Sequence, residues 1–366
     1  MGLCTGDAYG NQFFNPKNWG DRYIPPQDQT PAYPDGHTEE FVAAQLVPPR
    51  QWPWHEGSQM ACGILVHLRD NGAVESDTLL QLWTDHFERL ESYGPHTDLV
   101  TNVRGGGDWN VLTGDALAGA GSQGHGAAAR TAPLGAWFAD NLELAAQQAQ
   151  LAAELTHLHA DGVAGAVAVA VAAALAARHD TPSPAEFIAT VVDKTPDSAV
   201  RELLRSVRSY AGTTEQLVAR VGNGSDARAE DTVPLCVWVA AHHLDDYPKA
   251  VRTVVSVGGD MDVTAAIVGG IVAGGAPANG PPPQWLRQRE PLPEWCEIPA
   301  LRCRLGVRGR CLTELRAGFG AGGEGFFPFA GGFRQGATPG TLIQQVHVHT
   351  AIQVVGFVLE AAGKES

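Results

Sequence analysis

Apolar residues recur at helical spacing through much of the chain. Gln59 to Leu68, Thr78 to Leu90, Asn141 to Leu155 and Ala185 to Val192 each place their hydrophobic side chains along one face of a 3.6-residue repeat. These spans predict amphipathic helices. Strict apolar–polar alternation, the mark of a half-buried strand, is scarce before the last part of the chain, so the expected fold class is all-α. A further stretch, Val163 to Ala177, is mainly Ala and Val and has no polar face. It is shorter than the ~20 residues a membrane-spanning helix needs. It is also flanked by Asp161 and His179, and therefore predicts a helix buried at the centre of the domain. Segments rich in Gly, Pro and Asn separate the helices and predict loops: Phe14 to Pro34, Tyr93 to Gly107, Gly114 to Gly126, Val221 to Ser225 and Gly274 to Pro283. Loops of that length in a helical protein commonly carry the site.

The pattern changes after about Pro293, where Trp295 to Pro299 leads into an Arg-rich segment and then the Gly-rich run Gly318 to Gly340. The expected organisation is a helical domain over residues 1–293 and a Gly-rich C-terminal extension over 294–366. Gly318-Phe-Gly-Ala-Gly-Gly323 matches a dinucleotide-binding fingerprint by letter. The preceding Cys311 to Ala317 reads as helix where the fingerprint needs a strand, so the run reads as a linker. Val346 to His349 alternates, with His347 and His349 on one face if extended: a half-buried strand or a metal-binding pair.

A chain of 366 residues, 44% of them hydrophobic, can bury a large core. Its 40 acidic and 25 basic residues give a formal charge of −15, with no Lys/Arg run to track phosphates. Duplex nucleic acid is therefore excluded as an expected partner. The six cysteines show no C-x-x-C spacing, which fits a reducing cytoplasm. Met1 to Asp7 carries neither a basic start nor an apolar run of export-signal length. Neither export nor membrane association is expected.

The candidate chemistry begins with Asp260 and Asp262, one residue apart where the Gly258-Gly259 turn opens an apolar helix. Two carboxylates so placed can hold a hard divalent ion such as Mg²⁺, or simply cap and charge-match the first helical turn. His55-Glu56 opens another predicted helix, but Gln59 stands where an H-E-x-x-H zinc helix requires its second histidine.

Four ordered segments carry a resemblance. They are Gly6-Asp-Ala-Tyr-Gly10; Trp54-His-Glu-Gly-Ser-Gln-Met-Ala61; Gly124-His-Gly-Ala-Ala-Ala-Arg-Thr-Ala-Pro-Leu-Gly135, followed by Leu155-Thr-His157 and Ala164-Gly-Ala166; and Gly258-Gly-Asp-Met-Asp262. In this order, over about residues 1–290, the chain resembles the ADP-ribosylglycohydrolase family, the all-helical enzymes similar to dinitrogenase reductase-activating glycohydrolase. The resemblance implies a single orthogonal helical bundle and hydrolysis at the anomeric carbon of ADP-ribose. It also implies a cleft holding two Mg²⁺ ions between an early Thr-Asp-Asp-Thr-Gln-Met and a late Gly-Gly-Asp-Thr-Asp-Thr segment.

The metal-binding motifs here diverge from that pattern. His55-Glu56-Gly57-Ser58 replaces Thr-Asp-Asp-Thr, and Met261 and Val263 stand where the late segment has Thr. The implied metal ligands are Glu56, Asp260 and Asp262, enough for one Mg²⁺ at most or for none. A further acid is implied shortly after the Gly-Asp-Ala segment, but Asn11 to Phe14 supplies none, which leaves Glu39 or Glu40 as substitutes. Glu56, His55 and Asp262 are the implied catalytic residues. Gly124, His125, Gly126, Arg130 and His157 are the implied substrate-binding residues, with a structural ion pair open for Arg130 and a hydrogen-bonded helix-end imidazole open for His157.

The function implied is hydrolysis of the N- or O-glycosidic bond of an ADP-ribosylated or related ribonucleotide substrate, by single-metal or metal-independent chemistry. The expected partner is an ADP-ribose-containing small molecule or an ADP-ribosylated protein. Two alternatives stand beside it: a catalytically silent ADP-ribose reader, and an enzyme processing an N-riboside of secondary metabolism.

Overall fold

Helix follows helix in the computed structural model, which describes residues 2–14, 51–86, 95–109, 111, 120–178, 182–275 and 280–296. In chain order the α-helices are α1 (Gly2–Asn11), α2 (Glu56–Asn71), α3 (Ser76–His86), α4 (Pro95–Arg104), α5 (Ala132–Trp137), α6 (Leu142–Glu154), α7 (Ala160–Ala176), α8 (Pro184–Lys194), α9 (Ala199–Val207), α10 (Thr214–Val221), α11 (Ala229–His242), α12 (Tyr247–Ser256), α13 (Met261–Val272) and α14 (Pro283–Gln288). Among the described residues there is no strand, only isolated bridges at Trp52–Arg289 and Gly124–Arg228. The all-α expectation is met.

The apolar stretch read from Val163 becomes α7, buried from Gly162 to Ala176 and packed against α5, α6, α8, α11 and α13. Small side chains set that closeness. A Cβ on Gly135 of α5 would lie 1.9 Å from the Ala170 carbonyl oxygen. None of the helices among the described residues is long and apolar enough to cross a membrane. The described cysteines, Cys4, Cys62, Cys236 and Cys296, are free and buried.

The helix boundaries have local causes. Asn141 accepts from the Leu144 N–H at the start of α6, and Ser183 with Glu186 forms a capping box on α8. One loop expectation is corrected. Tyr93 to Gly107 contains α4, because Pro95 suits a first helical turn and Leu99 and Val100 are buried against the core. Arg104 at the end of α4 donates to the Thr84 carbonyl at 2.6 Å, tying α4 to α3. Glu39, Glu40, Cys311 to Ala317, the Gly-rich run, His347 and His349 lie outside the described residues.

α1 and α13 cross at very short range. Gly2, Gly6 and Gly10 recur every four residues on one face of α1. A Cβ on Gly6 would sit 2.1 Å from the Ala265 carbonyl oxygen, and one on Gly10 would sit 2.1 Å from that of Met261. This contact sets Asp7 of α1 beside the entry of α13, which holds Asp260 and Asp262.

Candidate active site

The chain enters α2 along an extended strut held by the segment after α14. Trp52 N–H donates to the Gln288 carbonyl at 2.7 Å, and Glu290 N–H donates to the Trp52 carbonyl at 2.8 Å. Trp54 Nε1 donates to Pro291 O at 3.2 Å, and Asn11 Nδ2 donates to Pro53 O at 3.2 Å. The strut delivers His55 as the residue preceding the first turn of α2, and its own side chain does not cap the helix. Asp7 takes hold of that turn instead. Its Oδ2 accepts from the His55 backbone N–H at 2.9 Å and from the Ser58 hydroxyl. The His55 ring then lies between two carboxylates, with Nδ1 2.6 Å from Asp262 Oδ2 and 3.2 Å from Asp7 Oδ1.

α13 is entered through Gly258 and Gly259 at φ of 71° and 77°, a left-handed pair that residues with a Cβ rarely adopt. Asn223 braces the turn by donating to the Val257 carbonyl at 2.9 Å. Asp260 stands at the N-cap position, yet its carboxylate makes no capping bond. It meets His125 Nε2 at 3.1 Å. Asp262 accepts from the adjacent Val263 N–H at 2.7 Å through Oδ1 and turns Oδ2 to His55. Helix capping alone does not account for this pair.

The surroundings drive the two acids apart. Burial raises Asp260 well above the usual carboxylate range, helped by the charge and hydrogen bond of Asp262 and by the charge of Glu56. Burial pushes Asp262 the same way, but hydrogen bonds from Asp260 and His55 outweigh it and hold Asp262 below its ordinary value. Burial also raises Asp7, against the hydrogen bonds from His55 and Ser58. For His55 burial acts downward, yet the two carboxylates lift its imidazole to about 11. The result is an imidazolium clasped by acids, with 38% of its side chain still exposed.

A second group of expected residues adjoins this one. Thr232 donates its hydroxyl to the Arg228 carbonyl at 2.7 Å, so it accepts from His125 Nδ1 at 2.8 Å, and Nε2 is left to meet Asp260. The loop holding Gly124, His125 and half-buried Gly126 thus reaches Asp260 through His125. Gly124 lies against His157, whose Nε2 would be 3.6 Å from a Cβ at that position. His157 is buried, and its Nδ1 lies 2.6 Å from the Thr156 hydroxyl.

Arg130, expected to touch ligand, lies in the core. It is fully buried, donates to Thr156 Oγ1 at 2.6 Å and Ala152 O at 3.3 Å, and lies 4.7 Å from the Trp83 ring centroid. Among the described residues it has no acidic partner, so an ion pair is not its role either. Burial lowers its guanidinium to about 9. Arg130 holds the Thr156 hydroxyl, which in turn lies beside His157. Arg130→Met is expected to cost about 1–3 kcal/mol of stability by stranding the Thr156 and Ala152 oxygens. Against ADP-ribose, the ligand that the resemblance implies, the affinity should fall less than about tenfold, since no contact with a ligand is removed. Thermal unfolding and calorimetric titration check both values, and a hundredfold affinity loss would restore direct contact.

Glu56, His55, Asp260 and Asp262 are thus brought together, with Gly124, His125 and His157 beside them. Asp7, within the Gly6-Asp-Ala segment, also joins this cluster, and the motifs did not single it out. The sequence matches the ADP-ribosylglycohydrolase family over residues 1–312.

The chain belongs to the ADP-ribosylglycohydrolase family. It is 29% identical over 214 residues to an uncharacterised protein of Archaeoglobus fulgidus, covering 54% of this chain. The chain spans 63% of that relative's length. Its fold is similar to that of a solved ADP-ribosylglycohydrolase-related protein complex, with a TM-score of 0.54 and 19% identity over 79% of this chain and 89% of the other. Within this ADP-ribosylglycohydrolase fold, Asp7, His55 and Asp262 offer three donor atoms within 4.8 Å of one another, the described cluster with metal-like spacing.

Proposed function

We propose that the protein hydrolyses the glycosidic bond between the ribose of an ADP-ribosyl group and a nitrogen or oxygen leaving group. The closeness of Glu56, Asp260 and Asp262 to one another in a member of this family carries the reading. In the hydrolysis, the bond from the anomeric carbon to the leaving atom breaks as water oxygen bonds to that carbon. Glu56, at the open end of α2, takes the proton from water. Asp262 faces the positive charge that builds on the ribosyl ring. Asp260, steered by His125, returns a proton to the leaving atom. The Gly124–Gly126 loop and His157 support the diphosphate, where glycine lets backbone amides come close.

A magnesium pair does not fit these residues. Gly57 offers no side-chain ligand, Val263 offers no hydroxyl, Asp7 Oδ2 is occupied by the His55 N–H and Ser58, and a ring nitrogen enters an otherwise all-oxygen set. No step above passes through an ion.

Incubation with ADP-ribosyl-arginine, ADP-ribosyl-serine or NAD, with Mg²⁺ or with chelator, tests the proposal by release of ADP-ribose. Release from at least one, abolished by Glu56→Gln, is expected. The absence of a ligating side chain at Gly57 and Val263 favours a second reading, a silent ADP-ribose reader. Saturable ADP-ribose binding with no turnover of any of the three would select it.

A further inference from the structure

We propose that the side chain of His55 fills the point on which Asp7 and Asp262 converge, so that ligand binding needs no divalent ion there. The distances carry the argument. An ion bound at ~2.0–2.2 Å by both a ring nitrogen and a carboxylate oxygen would hold those atoms roughly 3 Å apart or more. Nδ1 and Asp262 Oδ2 are 2.6 Å apart, a direct hydrogen bond with no room for an ion between them. The ring also cannot swing aside freely. Asp7 holds its main-chain N–H at 2.9 Å and the ring at 3.2 Å, and the Ser58 hydroxyl from the next turn shares the same carboxylate. Three contacts from one helix entry engage Asp7.

Charge balance points the same way. Asp7, Glu56, Asp260 and Asp262 gather at this place, and His55 and His125 are the basic groups paired with them. With Nδ1 engaged by the acids, Nε2 has no hydrogen-bond partner among the described residues and belongs to a partly exposed side chain. It is the ring atom left to meet a ligand. If the proposed glycohydrolase reading holds, it meets a ribose hydroxyl, an uncharged group that can donate or accept.

The test uses Mn²⁺ as probe on the full-length protein stripped with chelator. Free Mn²⁺, read by electron paramagnetic resonance, is expected to show no saturable binding to the unmodified protein up to millimolar metal. His55→Ser, which vacates the space between the acids, should bind Mn²⁺ at least about tenfold more tightly. If His55→Ser does not fold, a calorimetric titration of the unmodified protein with ADP-ribose, with Mn²⁺ and with chelator, decides instead. Affinities within about twofold of each other support the proposal. One tightly bound Mn²⁺ per unmodified chain that is lost in Asp262→Asn would overturn it, as would ADP-ribose binding that collapses in chelator. The Mn²⁺ measurement contains no nucleotide, so it remains decisive even if the glycohydrolase reading fails.

Discussion

Changing Asp262 to asparagine is expected to cut the release of ADP-ribose by about 10³-fold while leaving the protein folded. The amide would keep the size of the side chain but remove the charge facing the ribosyl ring. It would also remove the stronger of the two bonds holding His55, at 2.6 Å against 3.2 Å to Asp7. The stability cost should stay near ~1–2 kcal/mol, because His55 keeps 38% of its side chain in water and the screened charge remains partnered by Asp7. A pure capping role predicts the reverse pattern, with about 1 kcal/mol lost and turnover untouched. Steady-state kinetics and thermal unfolding on the same preparation separate the two. A variant that releases ADP-ribose at the unmodified rate would remove Asp262 from the chemistry. Asp260→Asn is the companion: His125 would keep Thr232 as one partner and exchange a carboxyl for an amide at the other. Its largest effect should fall on substrates with poor leaving groups, which depend most on a proton donor.

Most of the helices that surround the site can be read from periodicity, because their burial is one-sided and repeats along the chain. α2, α3, α6 and α8 coincide largely with the spans expected from their apolar faces, and α7 needed only its continuous Ala/Val run. α1 could not be read this way. Gly2, Gly6 and Gly10 argue against a helix by propensity, and only the partner helix α13, more than two hundred residues away in sequence, makes glycine the residue of choice. The same distance hid Asp7. Its partners His55 and Ser58 lie 48 and 51 residues on, and nothing local marks a carboxylate that will be gripped by another helix's first turn. Asp260, Asp262, His55 and Glu56 were legible because each sits at a helix entry next to glycine or a turn, where function and capping leave similar residue patterns. The surroundings of Arg130 were not legible, for the opposite reason. An arginine shortly after a glycine loop suggests a phosphate contact, and its complete burial beside Trp83 is a property of packing that no motif records.

Gly6→Ala is expected to cost about 3 kcal/mol, a large share of the roughly 5–15 kcal/mol that stabilises a folded domain. Helix propensity alone predicts a gain of up to about 1 kcal/mol for this change. Packing should win because the added methyl would lie 2.1 Å from the Ala265 carbonyl oxygen and 2.8 Å from its carbon, both backbone atoms with no rotamer to adopt. α13 would have to move away, and with it the Asp260–Asp262 entry. Gly10→Ala presses on that entry directly, since its methyl would meet the Met261 oxygen at 2.1 Å and the Asp262 Cα at 2.8 Å. It should therefore lose turnover as well as stability, because Asp262 would be carried off the His55 ring. Gly57→Ala is the control: its methyl meets only the Ala129 Cβ, at an ordinary 3.5 Å, so its unfolding temperature should change little. For a chain of this size Gly6→Ala should lower the unfolding midpoint by roughly 4 °C. A midpoint equal to or above that of the unmodified protein would mean that α1 and α13 do not approach this closely, and the juxtaposition of Asp7 with Asp262 would lose its structural basis.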